Sequence, residues 1–198
     1  MTAAAHVWLA RCDGLDEARL HEYGRWLGAG ERERGFVREA RRRQFIAARA
    51  LLRIAIGTLL DVPPDTVELG GAPGRAPWLV APAVPLPGLS VSHSGPWVGC
   101  AVSFATALGL DIEMKDAARD VAALAEQAFD AATCARLAAL PDGARVDAFY
   151  EAWSTQEARI KLSVEAGGTH ALPHDELSVV VCSAVPLADV PRLQIVDL

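Results

Sequence analysis

Lysine is scarce in this chain: Lys115 and Lys161 stand against seventeen arginines. Cysteine is scarce and scattered too. Cys12, Cys100, Cys134 and Cys182 form no C-x-x-C pair, which excludes a zinc knuckle or dithiol motif and predicts reduced thiols in apolar surroundings. No run of about 18 uninterrupted apolar residues exists. The richest stretch, residues 78–110, is broken by Pro82, Pro85, Pro87, Ser90, His93 and Pro96, so a helical membrane span is excluded. Residues 1–10 carry no basic flank, and Arg11 and Asp13 cut their apolar run short. A secretory leader is therefore not expected, and the expected location is cytoplasmic. What remains is an ordinary globular composition, 198 residues with 52% hydrophobic and 22% charged. A chain of this length buries roughly 70% of its unfolded surface without help from disulfides.

Charge is unevenly spread. Between Glu31 and Arg53 eight arginines face three acids, a local +5 on a chain of net charge −6, so the remainder carries −11. Such a segment either steers an anionic ligand, a phosphate for example, or forms a solvated arginine-rich helix face. The strongly acidic remainder and the lack of an interleaved aromatic platform speak against nucleic acid.

Periodicity predicts a strand at 6–12, a helix at 16–27 capped by Asp13 or Asp16, and a helix at 36–60. A turn-rich region at 70–87 holds at most a short strand near 78–80. Strands at 89–91 and 97–103 flank a tight Ser92-His93-Ser94-Gly95-Pro96 segment, and another strand covers 108–114. Helices follow at 121–129, 131–140 and 146–165, the last ending before Gly167 and Gly168, then strands at 177–182 and 193–196. Without strict βαβ alternation this order predicts an α+β fold.

Three strings carry chemistry. Asp111 and Glu113 are two apart on a predicted strand and leave the same face, a pair of hard oxygen ligands suited to magnesium. A polar outer strand face accounts for them equally well. Trp153, Glu157 and Lys161 follow the i, i+4, i+8 spacing of one helix face; a stabilising Glu–Lys pair beside a core tryptophan is the simpler reading. Lysine, unlike arginine, offers a compact charge able to transfer a proton. Ser92, His93 and Ser94 bring hydroxyls and an imidazole to a hairpin tip, where they suit a phosphate oxygen or serve only the turn.

In order and spacing these strings resemble the monomeric surfactin-type 4′-phosphopantetheinyl transferases. That family has an arginine repeat on an N-terminal helix (here Arg49 to Arg53), a GKP-like turn (Gly74-Arg75-Ala76-Pro77), an SHS segment (Ser92-His93-Ser94), a G-[IVL]-D-[IV]-E strand (residues 109–113) and a W-[ST]-x-K-E-[AS]-x-x-K helix (residues 153–161). The resemblance covers about residues 30–175. It implies a pseudo-two-fold arrangement of two similar α/β lobes, 1–104 and 105–198, with the active site between them. The implied reaction moves the phosphopantetheine arm of coenzyme A onto a serine of an acyl or peptidyl carrier protein. By resemblance Asp111, Glu113 and Glu157 bind Mg2+, with Glu157 also taking the serine proton, and Lys161 stabilises or protonates the departing diphosphate. Arg32, Arg43, Arg75, Ser92 and His93 hold the nucleotide phosphates. The expected state is a monomer with no nucleic-acid or membrane partner. Two positions depart from the pattern: Gln156 replaces the lysine before the helical glutamate, and Thr133 replaces the glutamate of an F-S-x-x-E segment. They imply slower transfer or a narrower set of carriers. The alternative is a homologue that binds coenzyme A or a carrier protein but has weakened or lost transferase activity.

Overall fold

The computed structural model describes residues 3–72, 75–85 and 87–198; Gly74 of the expected turn lies outside them. β1 (His6–Arg11) leads to α1 (Glu17–Trp26), whose first turn is closed by Asp16, its carboxylate accepting from the Arg19 N–H at 2.7 Å. A single turn, α2 (Ala29–Arg32), precedes the long α3 (Glu39–Leu60). Then come β2 (Glu68–Gly70), β3 (Trp78–Ala81), β4 (Gly88–Ser94), β5 (Trp97–Ser103) and β6 (Leu108–Met114). Helices α4 (Val121–Ala128), α5 (Ala131–Ala138) and α6 (Asp142–Leu162) follow, and β7 (Gly168–Leu172), β8 (Leu177–Ser183) and β9 (Arg192–Ile195) close the order. The fold is α+β, as the mixed element order predicts.

Two sheets dominate. The first has strand order β4-β5-β1-β9, with β9 parallel to β1, and the second has order β6-β8-β7, antiparallel throughout. Alternation sorts the side chains into layers. Trp8, Ala10, Val98, Cys100 and Val102 face α1 and α3, while Val7, Leu9 and Ala101 face the second sheet and meet Leu110, Ile112, Val179 and Val181 there. On the far side of the second sheet, Val180 and Cys182 meet Ala158 and Leu162 of α6. The order is therefore helix, sheet, sheet, helix. Strands buried on both faces read as continuous apolar runs, which is why β5 and β8 are buried along their whole length. Cys12, Cys100 and Cys182 are buried, Cys134 is half-buried and all four are free; burial raises the Cys100 thiol well above its ordinary value.

Several boundaries differ from the sequence expectation. β4 runs on through His93 and Ser94, so the SHS string is strand, and Gly95, with φ +53°, and Pro96 alone make the turn. α6 ends at Leu162 on Ser163, which adopts the left-handed conformation at φ 60°, not at the glycine pair. β7, α2 and β2 went unforeseen because they are short and lack an apolar period: β7 is Gly-Thr-His-Ala-Leu with alternate residues exposed. Among the described residues no helix is long and apolar enough to cross a membrane.

Candidate active site

Gly109, Asp111 and Glu113 share the face of β6 that α6 covers. Glycine is required at the first of them, since a Cβ there would stand 2.0 Å from the Ala158 carbonyl oxygen and 2.6 Å from the Leu162 nitrogen. The close approach it permits carries Lys161 onto the strand. Its Nζ donates to Asp111 Oδ1 at 2.7 Å, to Ser92 Oγ at 2.8 Å and to the Leu110 carbonyl at 3.0 Å. The carboxylates are thus not a solvated outer face, and Asp111 is only 3% exposed.

β6 is an edge strand of its sheet, and its outward N–H groups find partners on β4. Ser90 Oγ accepts from Leu110 N–H at 2.8 Å, Ser92 Oγ from Ile112 N–H at 3.3 Å and Ser94 Oγ from Met114 N–H at 3.0 Å. Two of these hydroxyls in turn donate a hydrogen bond to a carboxylate, Ser92 to Asp111 Oδ1 at 3.1 Å and Ser94 to Glu113 Oε2 at 2.8 Å. The period-two serines of Ser90-Val91-Ser92-His93-Ser94 were the available signal for this ladder.

A cleft of about 410 Å3 opens above this floor. One side presents Asp111, Glu113, Glu157 and Lys161, the other Arg34, Arg41, Arg49 and Arg75, with Phe36 and Phe45 between. Arg34 and Arg49 lie over the Phe45 ring, each 5.1 Å from its centroid. Arg49 is buried 3.2 Å from Glu31, which also pairs with the buried Arg53 at 2.6 Å, and Arg49 Nη1 has no partner among the described residues. Arg41 donates to the His93 ring. Desolvation, with Arg41 and Lys161 adding, lowers His93 to about 4, so its imidazole is neutral at physiological pH. Desolvation raises the Glu113 carboxyl; the Ser94 hydrogen bond opposes this, the Asp111 charge adds to it, and Lys161 and Arg119 oppose it.

Of the nine residues picked for the site from the sequence, seven line the cleft and two lie elsewhere. Arg75, His93, Asp111, Glu113, Glu157 and Lys161 all line it. Arg32 and Arg43 do not. Arg32 caps carbonyls at the end of α1, donating to Leu27 O at 2.6 Å, and Arg43 binds Glu17 and the Leu15 carbonyl. Helical geometry explains the second placement: two residues along α3 are about 200° apart, so Arg41 faces the cleft and Arg43 faces α1. Arg34, Arg41 and Arg49 take the expected basic positions instead. Ser92 lines the cleft, with its hydroxyl engaged by Asp111, Lys161 and Ile112.

The expected metal ligands are not drawn together in advance. Among the described residues no group of three His, Cys, Asp or Glu is gathered as a preformed metal site, and Lys161 takes Asp111 Oδ1. The donor chemistry nevertheless fits a hard divalent cation: among the described residues Asp111 Oδ2 is buried without a hydrogen-bond partner, and Glu113 accepts through Oε2, leaving Oε1 without a bond.

Residues 107–183 match the family model of the 4′-phosphopantetheinyl transferase superfamily. The chain is similar to 4′-phosphopantetheinyl transferase HetI of Nostoc sp., 26% identical over 197 residues that cover 98% of this chain and 81% of the relative. It is 33% identical to a Bacillus subtilis 4′-phosphopantetheinyl transferase over 130 residues, 65% of this chain and 54% of that relative. A putative 4′-phosphopantetheinyl transferase of Synechocystis sp. is 25% identical over 183 residues, 90% of this chain and 73% of the relative.

Proposed function

We infer that this chain, a member of the 4′-phosphopantetheinyl transferase superfamily, moves the phosphopantetheine arm of coenzyme A onto a serine hydroxyl of an acyl or peptidyl carrier protein. The observation that carries this reading is the two-sided cleft, with four arginines facing three carboxylates and a lysine across a space of about 410 Å3. Arg34, Arg41, Arg49 and Arg75 suit the phosphates of an anionic nucleotide by bidentate contact. A neutral His93 held by Arg41 adds a ring nitrogen that orients one phosphate oxygen and leaves the positive charge to the arginine.

In the transfer the carrier serine Oγ forms a bond to the phosphorus nearer the pantetheine arm, and the bond from that phosphorus to the bridging oxygen breaks. Adenosine 3′,5′-bisphosphate leaves. Glu157 accepts the serine proton, directly or through water, and Lys161 at the cleft floor offsets charge growing on the leaving oxygen. Asp111, Glu113 and Glu157 would hold a magnesium ion, which would supply charge neutralisation of the diphosphate. Serving the metal requires Lys161 to share or release Asp111 Oδ1, and its 31% side-chain exposure leaves it room to do so.

The division into lobes 1–104 and 105–198 belongs to the same reading and is supported by residues 34–93 lining one side of the cleft and 111–161 the other. β9 is the exception, since it completes the first sheet. A larger groove, about 640 Å3 between α5 and α6, includes Phe129, Thr133, Leu137, Gln156 and Ile160 and suits a carrier helix. Both departures from the family pattern lie on it, which ties Thr133 and Gln156 to carrier choice. A monomer in the cytoplasm, without nucleic-acid or membrane partners, completes the proposal.

The test is incubation with coenzyme A, Mg2+ and a panel of apo carrier proteins, read by intact mass. Gain of one phosphopantetheine arm on a carrier is expected. Retained coenzyme A binding with no mass gain across the panel would favour the binding homologue.

A further inference from the structure

The serine ladder does more than close a sheet edge. A serine hydroxyl has one proton, and its direction is set by whichever donor occupies the oxygen. At Ser94 the Met114 N–H takes a lone pair at 3.0 Å, so the hydroxyl proton is left for Glu113 Oε2 at 2.8 Å. Met114 N–H is part of the strand that carries Glu113, so strand, hydroxyl and carboxylate form a closed ring of contacts. The same ring recurs two residues back, where Ile112 N–H, Ser92 Oγ and Asp111 Oδ1 repeat it. Each ring ties down one oxygen of a carboxylate and leaves the other without a bond: Asp111 Oδ2 and Glu113 Oε1.

The two rings differ in what else they hold. At Asp111, Lys161 reinforces Ser92 by donating to both the hydroxyl and the carboxylate. Among the described residues Glu113 has no lysine or arginine within ion-pair distance, and Ser94 is its one hydrogen-bond donor. The direction of the Glu113 carboxylate therefore depends on a single hydroxyl.

We propose that Ser94 is a positioning residue that holds Glu113 Oε2 so that Oε1 faces the cleft as a cation ligand beside Asp111. The proposal rests on the transferase reading for its link to catalysis, but the ladder itself is testable without turnover. It explains why the string carries serine at both flanks of His93: the histidine points to the opposite side of β4, towards Arg41, and the serines serve the carboxylates. It also places the serines on the first sheet and the two carboxylates they hold on the second.

Mn2+ alone is the probe, titrated against the full chain by calorimetry or electron paramagnetic resonance, with Ser94→Ala and Ser94→Thr compared with the parent. Loss of an outer partner of a metal-ligating group commonly weakens metal affinity by about tenfold or more, so Ser94→Ala should bind Mn2+ about tenfold more weakly while its thermal midpoint stays close to the parent's. Ser94→Thr keeps the hydroxyl and should recover most of that affinity. In the transfer assay at saturating metal, Ser94→Ala should lower kcat with KM for coenzyme A within about twofold, a split that loss of general stability does not produce. Parent-like Mn2+ affinity in Ser94→Ala, no Mn2+ binding by the parent, or a folded Ser94→Thr no better than Ser94→Ala would each overturn the proposal. Parent protein that binds Mn2+ with the expected Ser94 dependence yet transfers nothing would sink the transferase reading and leave the positioning role standing.

Discussion

Replacing Gly109 with alanine places a methyl group where the backbone of α6 already lies. The new Cβ would meet Ala158 O at 2.0 Å and Leu162 N at 2.6 Å, and neither is a side chain that can rotate away. Ordinary non-bonded contact needs about 3.5 Å, so the helix must retreat by roughly 1.5 Å at this crossing. Lys161 sits on the same turn and holds Asp111 Oδ1 at 2.7 Å and Leu110 O at 3.0 Å; a retreat of that size takes both past hydrogen-bonding range. Overpacking costs about 1–3 kcal/mol, and the weakened Asp111–Lys161 contact adds about 1 kcal/mol after solvent takes up part of the loss at the partly exposed lysine. The expected total is about 2–4 kcal/mol, a fall of roughly 5–15 °C in thermal midpoint for a domain of this size. Urea unfolding followed by tryptophan fluorescence reads the stability, and the carrier mass assay reads the site. Gly143→Ala, in the first turn of the same helix with nothing within 4 Å of its new methyl, is the control and should leave stability unchanged or slightly raised. A Gly109→Ala protein within about 0.5 kcal/mol of the parent and equally active would refute the argument that this glycine sets the helix–strand distance.

Three further outcomes are expected. Arg41→Ala should weaken coenzyme A binding, and more than it weakens 3′-dephospho coenzyme A, while Arg43→Ala should leave both unchanged; isothermal titration that ranks them the other way would return the phosphate site to α1. Lys161→Met leaves the Asp111 carboxylate buried without its cation and should destabilise by about 3 kcal/mol, whereas adding Asp111→Asn should recover most of that loss without restoring transfer; equal stability of the single and double variants, by urea titration, would rule this out. His93 is held near 4 against about 6.5 in the unfolded chain, so the unfolded state takes up the proton first and stability should fall as pH drops from about 6.5 to about 4, then flatten. His93→Gln should show a shallower slope across that window, and parallel curves would remove His93 as its source.

Long periodic segments were readable from the sequence, and short ones were not. α3, α6, β5 and β6 lie close to where apolar spacing puts them, because each buries a full face. α2 and β7 escaped because a single helical turn and a glycine-led edge strand carry no period. The acid pair was readable as a same-face pair, but two identical patterns separate a solvated face from a covered one, and only the Gly109 contact with α6 decides between them. The basic wall was legible as a charged segment and illegible as individual residues. Every arginine on α3 has the same letter, and which ones face the cleft depends on the helix rotation set by Ile46, Ala50 and the other buried residues of that helix. The ladder role of Ser92 was not legible because a hydroxyl can serve a ligand or a neighbouring strand, and the N–H group that bonds it belongs to β6, about twenty residues away in sequence.

The pairing of β9 with β1 has a kinetic implication. His6 to Leu9 lie opposite Arg192 to Ile195, so β1 receives its outer neighbour only after all the chain between them has been made. Until then one margin of the opening sheet stands bare, although its other margin can already be zipped to β5. A nascent polypeptide stalled before residue 192 would present that bare margin to other molecules, and such stalled chains should associate with one another far more readily than released ones.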